Sequence, residues 1–122
     1  MILDSNIIIY STKPEYNFLR EFIAENSPSV SAVSYVEVLG YHRLTVEEKE
    51  LLEQFFSSTR ILPISKKAIT KAVGLRQTKK MTLGDALIAA TALVNNAVLV
   101  TNNTADFDWI AELKLFNPLE KI

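Results

Sequence analysis

Short apolar runs at 1–4, 29–32, 61–64 and 97–100 are separated by longer segments whose apolar residues recur at helical spacing. Runs this brief and this poor in charge suit strands buried on both faces. Strands alternating with helices lead to a parallel sheet covered by helices on both sides. The helical segments are 16–25, with Phe18, Leu19, Phe22 and Ile23; 34–44; one starting at Thr45; 65–79; and 82–95, with Leu83, Ala86, Leu87, Ala90, Leu93 and Val94. Residues 5–11 read as a turn and brief helix, Pro28 as a helix breaker, and 113–116 as an edge strand closed by Pro118. The expected fold is α/β, a parallel β-sheet flanked by α-helices. In such sheets, sites gather beyond the carboxyl ends of the strands.

One domain over 1–122 accommodates this pattern. The chain has no cysteine, which excludes disulfides and thiolate chemistry, and a single histidine, His42, which argues against mechanisms built on histidine pairs. Three glycines, at 40, 74 and 84, are too few and too scattered for a glycine-rich phosphate loop. No apolar run reaches the roughly 18 residues of a membrane span, and no signal-peptide pattern precedes the first strand, so a cytoplasmic location without membrane attachment is expected. The net charge of −1 argues against a general nucleic-acid coat and leaves room for a local basic patch.

Asp4 is the anomaly. It closes an apolar strand and precedes Ile7-Ile8-Ile9, where a carboxylate is costly unless paired, hydrogen-bonded or bound to a metal. Two further acids stand at the mouths of apolar helices. Glu37 lies in Ser34-Tyr35-Val36-Glu37 and Asp85 in Thr82-Leu83-Gly84-Asp85. Both fit a capping box, as does Thr45-Val46-Glu47-Glu48, so capping and catalysis stand as equal alternatives for each. Asp4 has the simpler alternative of capping the helix that follows it. Three carboxylates without cysteine or paired histidine suit a hard cation such as magnesium, which takes oxygen ligands and keeps several waters. The expectation is that they meet closely enough in space to cage a divalent ion.

Four pieces of the chain, in order, resemble the PIN-domain nucleases, and among them the VapC-like toxins of prokaryotic toxin–antitoxin pairs. They are Ile2-Leu3-Asp4-Ser5-Asn6, Ser34-Tyr35-Val36-Glu37, Leu83-Gly84-Asp85-Ala86-Leu87-Ile88-Ala89-Ala90-Thr91-Ala92 and Leu99-Val100-Thr101-Asn102-Asn103. The resemblance implies a PIN-like α/β/α sandwich and a magnesium-dependent endoribonuclease, with manganese as a substitute ion. It makes Asp4 and Asp85 the main metal ligands and Glu37 a ligand directly or through water. Thr101 and Asn6 become supporting residues, Thr101 as a brace for Asp4. Where many relatives carry a fourth acid, this chain has Asn103, an uncharged oxygen donor; Asp106, three residues on, is the other candidate ligand, with a surface acid or helix cap as its alternative. Arg43, Arg76, Lys79 and Lys80 are candidates to hold an RNA backbone, or else a solvated helix face. Tyr10 and Tyr41 are stacking or core residues, and His42 a structural or surface one.

The resemblance also implies a cognate antitoxin and a homodimer, for which Phe18, Phe22, Phe55 and Phe56 offer core or interface. The rival readings are a non-catalytic PIN-like interaction module, favoured by Asn103, and an aspartate-nucleophile phosphatase. The latter lacks its second acid, because Asn6 stands in that place.

Overall fold

In the structure, a computed structural model that describes residues 1–121, five strands form one parallel sheet. They are β1 (Ile2–Leu3), β2 (Ser29–Ser31), β3 (Ile61–Leu62), β4 (Leu99–Val100) and β5 (Leu115–Phe116), in the order β3-β2-β1-β4-β5. The register pairs Ile2 with Ser29 and Leu99, and Leu3 with Val30 and Val100. The connecting helices are α1 (Ser5–Tyr10), α2 (Asn17–Asn26), α3 (Ala32–Leu39), α4 (Val46–Ser57), α5 (Lys66–Thr78) and α6 (Leu83–Val94).

Alternation along the strands divides the core in two, because successive side chains point to opposite faces. Ile2 and Leu99 pack with Ala86, Ile88, Ala89, Ala90 and Phe107 on the α5–α6 side. Leu3, Val30 and Val100 pack with Ile7, Ile8, Val38, Leu52 and Phe56 on the other. The alanines of α6 let it lie close on the sheet. Phe56 is buried, Phe22 and Phe55 pack against the second cluster, and Phe22 stacks on Phe116 with centroids 5.6 Å apart. Phe56 therefore belongs to the core, and Phe22 and Phe55 pack against it while staying half-buried.

Two boundaries differ from the sequence reading. The strand at 29–31 runs directly into α3, because Ser31 is both its last residue and the helix cap, its hydroxyl accepting from the Val33 N–H at 3.1 Å. α3 consequently starts before Ser34. It stops at Gly40 rather than Leu44, where Tyr41, His42 and Arg43 are all exposed and have no core to cover. β3 and β5 are each two residues long, shorter than the apolar runs containing them. Among the described residues, no helix is long and apolar enough to cross a membrane.

The sheet order positions the site. The chain moves from β1 outward through β2 and β3, then jumps back across β1 to β4. The direction of winding thus reverses between β1 and β4, and a crevice opens beyond their carboxyl ends. Asp4 follows β1 and Thr101 follows β4.

Candidate active site

Asp4 is only 5% exposed, and both of its oxygens have protein donors. Oδ1 accepts from the Ser5 N–H at 2.8 Å and so caps α1. Oδ2 accepts from the hydroxyl of Thr101 at 2.7 Å, across the reversal point of the sheet. Thr101 is itself fully buried, and its Oγ1 also accepts from the Asn103 N–H at 3.0 Å. The buried acid at the head of the chain is thus tied to the far end of it by a bond spanning 97 residues.

Glu37 does not cap α3, because Ser31 does. It sits farther along the helix, on an exposed turn. The Ser5 hydroxyl donates to its Oε1 at 2.7 Å and lies 3.0 Å from the buried Ser34 Oγ. Ser34, expected as a cap, is instead the inner end of a hydroxyl chain that reaches Glu37. A backbone rather than a side chain faces the other carboxylate oxygen. A Cβ placed on Gly84 would collide with Glu37 Oε2, so the carboxylate can rest here only because residue 84 has none.

Asp85 stands next to that glycine in the first turn of α6. The Thr82 hydroxyl accepts from its N–H at 3.1 Å. At Thr45 both halves of a capping box form, 3.1 and 3.0 Å, with Glu48. At Thr82 the carboxylate instead lines a cleft of about 570 Å³ with Asp106, Arg76, Lys79 and Lys80.

The electrostatics tie these acids together. Burial pushes the Asp4 carboxyl above the usual aspartate range, the charges of Asp85 and Glu37 push it the same way, and the bonds from Thr101 and Ser5 oppose them. Burial also raises Asp85, reinforced by the negative charges of Asp106 and Glu37 and opposed by Thr82. Asp4 feels Asp85 and Glu37, and Asp85 feels Asp106 and Glu37, so the four acids lie along one rim with Glu37 common to both.

They ring that rim rather than close on a point. Among the described residues, no group of three Asp, Glu or His side chains is gathered tightly enough to hold an ion as it stands. The expected three-carboxylate cage is therefore corrected to an open ring, as mutual repulsion of uncompensated acids requires. The donor set still fits magnesium or manganese. It consists of oxygen atoms, and magnesium is commonly held by one or two carboxylates, waters and substrate phosphate. Asn6, two residues from Asp4, adds a buried Oδ1 without a hydrogen-bond partner, an acceptor that protein interiors rarely leave unmet.

Other candidates separate. Asp106 faces Asp85 across the cleft and ends a 3₁₀ turn over Thr104–Asp106; it caps no helix. Asn103 is exposed, and its bonds are made by its backbone: its N–H donates to Thr101 Oγ1 and its carbonyl accepts from the Asp106 N–H, each at 3.0 Å. Arg76, Lys79 and Lys80 share the Asp85 cleft, whereas Arg43 is exposed on the α3–α4 loop and does not line it. Tyr10 packs on Tyr16 with centroids 5.0 Å apart, and exposed Tyr41 lies beside His42, 5.3 Å away. The sequence reading missed Ser5, the function of Ser34, and Trp109, which also lines the Asp85 cleft. Only Trp109 carried a signal, as the chain's single tryptophan, three residues after Asp106.

The model of the PIN domain family matches residues 1–113. Ribonuclease VapC2 of Rickettsia felis is 30% identical over 128 residues, covering 95% of this chain and 96% of that protein. A toxin–antitoxin complex from Klebsiella pneumoniae superposes with a TM-score of 0.75 at 28% identity, covering 96% of each chain. VapBC2 from Rickettsia felis, bound to a DNA fragment from its promoter, superposes at 0.78 with 27% identity over 95% of this chain and 96% of that one. DNA-bound VapBC from Salmonella typhimurium, at 22% identity and 0.82 over 94% and 95%, shares the fold.

Proposed function

Because the chain belongs to the PIN-domain family, we propose that it is a metal-dependent endoribonuclease, the toxin of a type II toxin–antitoxin pair, and that it hydrolyses RNA phosphodiester bonds at the rim formed by Asp4, Glu37 and Asp85. The observation that carries this reading is the buried Asp4, held at the reversal point of the sheet by Thr101 and sensing the charges of Asp85 and Glu37. The relatives support it: one is named a ribonuclease, and others are toxin–antitoxin complexes.

Asp4 and Asp85 would hold the ion, and Glu37 and Asp106 would contribute further oxygens. When bound, a divalent cation supplies Lewis acidity for the phosphate and acidifies water at the site. Glu37 is the group to receive the proton of the attacking water. Its Oε1 is fixed by Ser5, and Oε2 faces the Gly84 backbone, so the carboxylate is oriented while remaining exposed to substrate. Thr101 and the Ser5 N–H orient the Asp4 oxygens. Arg76, Lys79 and Lys80 hold the phosphate backbone where it enters the Asp85 cleft. The cognate antitoxin and a second copy of the chain are the protein partners.

The test compares the parent with Asp4→Asn, Glu37→Gln and Asp85→Asn for growth arrest in cells and for RNA fragments in vitro, with circular dichroism as the folding control. Cleavage that needs magnesium, stops with chelator and falls by about 10²-fold or more in the variants supports the reading. Folded variants with full magnesium-dependent cleavage refute this site. The open carboxylate ring and Asn103 favour a second reading, a non-catalytic PIN-like binding module. No magnesium-dependent cleavage together with no calorimetric metal binding would establish that reading instead.

A further inference from the structure

Positive charge is concentrated on one part of this chain. From Ile61 to Gly84 there is no Asp or Glu, and the stretch carries Lys66, Lys67, Lys71, Arg76, Lys79 and Lys80, six of the thirteen basic residues of a protein whose net charge is −1. α5 carries the first four, and Lys79 and Lys80 follow its C-terminal end. Arg76, Lys79 and Lys80 line the Asp85 cleft. Lys66, Lys67 and Lys71 line a different groove of about 790 Å³, between α5 and the segment at 109–112. That groove has apolar residues in its wall, Leu75, Val94 and Ile110, with Lys66, Lys67 and Lys71 beside them.

Trp109 lines both hollows. Its indole N–H donates to the Asp106 carbonyl at 3.1 Å, which anchors the ring to the element that carries Asp106. The Lys79 ammonium lies 5.7 Å over the ring centroid. A half-buried aromatic ring therefore stands where the Asp85 cleft meets the lysine-lined groove, with a cation on it.

We propose that the groove beside α5 is a second binding site, for the single-stranded flank of an RNA whose cleaved phosphate lies at Asp85, and that Trp109 stacks one of its bases at the passage between the two. The assignment of cleavage to Asp85 rests on the proposed nuclease activity; the binding site does not. Charge complementarity selects a polyanion, since three lysines, Lys66, Lys67 and Lys71, line the groove against one acid, Glu112. The apolar wall and the indole select a strand with unstacked bases. An RNA duplex hides its bases and offers mainly phosphate and sugar, whereas single strands combine a basic track with aromatic stacking. On binding, Lys79 exchanges the ring for a phosphate, and the base takes its place. Trp109 is a substrate-binding residue here and has no part in the bond-breaking step.

Trp109 is the only tryptophan, so intrinsic emission reports on this residue alone. The experiment titrates the full chain, in chelator so that no cleavage occurs, with an unstructured oligouridine octamer, a uridine dinucleotide, a duplex RNA of equal charge and polyglutamate. Binding is followed in parallel by anisotropy of labelled probe. The octamer quenches emission saturably, and the dinucleotide binds far more weakly. The duplex and polyglutamate leave the emission unchanged. Trp109→Ala weakens octamer binding about 5- to 150-fold, while Trp109→Phe, which keeps an aromatic face, recovers most of it. Lys67→Ala and Lys71→Ala each reduce the slope of log affinity against log salt by about 0.7.

Octamer binding without a change in emission overturns the proposal, as does a folded Trp109→Ala that binds like the parent. Quenching by polyglutamate equal to that by RNA also overturns it, and makes the groove a protein-docking surface. The outcomes separate from those of the nuclease reading. A protein that cleaves RNA but shows no quenching loses only this site, and one that is quenched but never cleaves loses only the catalytic assignment.

Discussion

Replacing Gly84 by alanine puts a methyl group where Glu37 now rests its carboxylate. The new Cβ would overlap Glu37 Oε2 and lie 3.3 Å from Cδ. The obstacle is the end of a flexible side chain, so the helices stay in place and the carboxylate swings away. The 2.7 Å bond from Ser5 is lost with that movement. An exposed hydrogen bond of this kind contributes about 1 kcal/mol. Alanine in place of glycine in a helix returns about 0.5–1 kcal/mol, less in a first turn. The two nearly cancel, and the melting temperature should move by no more than a few degrees. Catalysis should respond far more. Misplacing a reacting group by about 1 Å can cost about 10²-fold, and that loss is expected in kcat with KM little changed. The assay is magnesium-dependent cleavage of a fluorogenic RNA, with thermal melting alongside. A double-mutant cycle identifies the route. In a Glu37→Gln background, Gly84→Ala should add little, because both changes disable the same group. A Gly84→Ala protein with parental kcat, or one that loses equally in both backgrounds, would refute the clearance argument.

Three further outcomes test the site. Asp4 and Asp85 have raised pKa values, so the folded chain holds these protons to higher pH than the unfolded chain, and metal-free stability should fall as pH rises above the ordinary aspartate value of 3.8; Asp4→Asn, which keeps a good helix cap, should be more stable than the parent at neutral pH and lose that advantage in acid, and melting curves giving the same difference at every pH would contradict this. Thr101→Val keeps the shape but removes a hydroxyl bonded to a buried carboxylate, which should cost about 1.5–3 kcal/mol in denaturant unfolding, with Thr101→Ser close to the parent; equal stability of all three would show that the bond contributes nothing. Magnesium at about 100 times its dissociation constant should stabilise the parent by about 2.7 kcal/mol and leave Asp85→Asn nearly unmoved, and a parent whose melting temperature ignores magnesium would argue against the ring as a metal site.

Local pattern carried the architecture. Ile2-Leu3, Leu99-Val100 and the alanine-rich α6 could be assigned from periodicity, since each depends only on neighbours along the chain. Asp4 could be marked as costly for the same reason, because an acid at the end of a buried strand is anomalous whatever surrounds it. The Thr45 capping box is equally local and formed as written. Where two local patterns competed, sequence was not enough. Ser31 and Ser34 both fit a cap, and the strand pairing that holds Ser29–Ser31 in the sheet decided for Ser31.

The composition of the site was decided in three dimensions. Ser5 and Glu37 are 32 residues apart and Asp4 and Thr101 are 97 apart, and no periodicity links such pairs. The first pair meets because β1 and β2 lie side by side, and the second because β4 inserts beside β1 rather than beyond β3, which brings the start and the last third of the chain to one crevice. The same strand order turns Asp106 toward Asp85 and sets Trp109 between two hollows. Sequence by itself determined which residues were worth burying at a cost; the order in which the strands lie side by side determined which of them touch, because contact across a sheet depends on neighbours in space and a linear pattern records only neighbours in the chain.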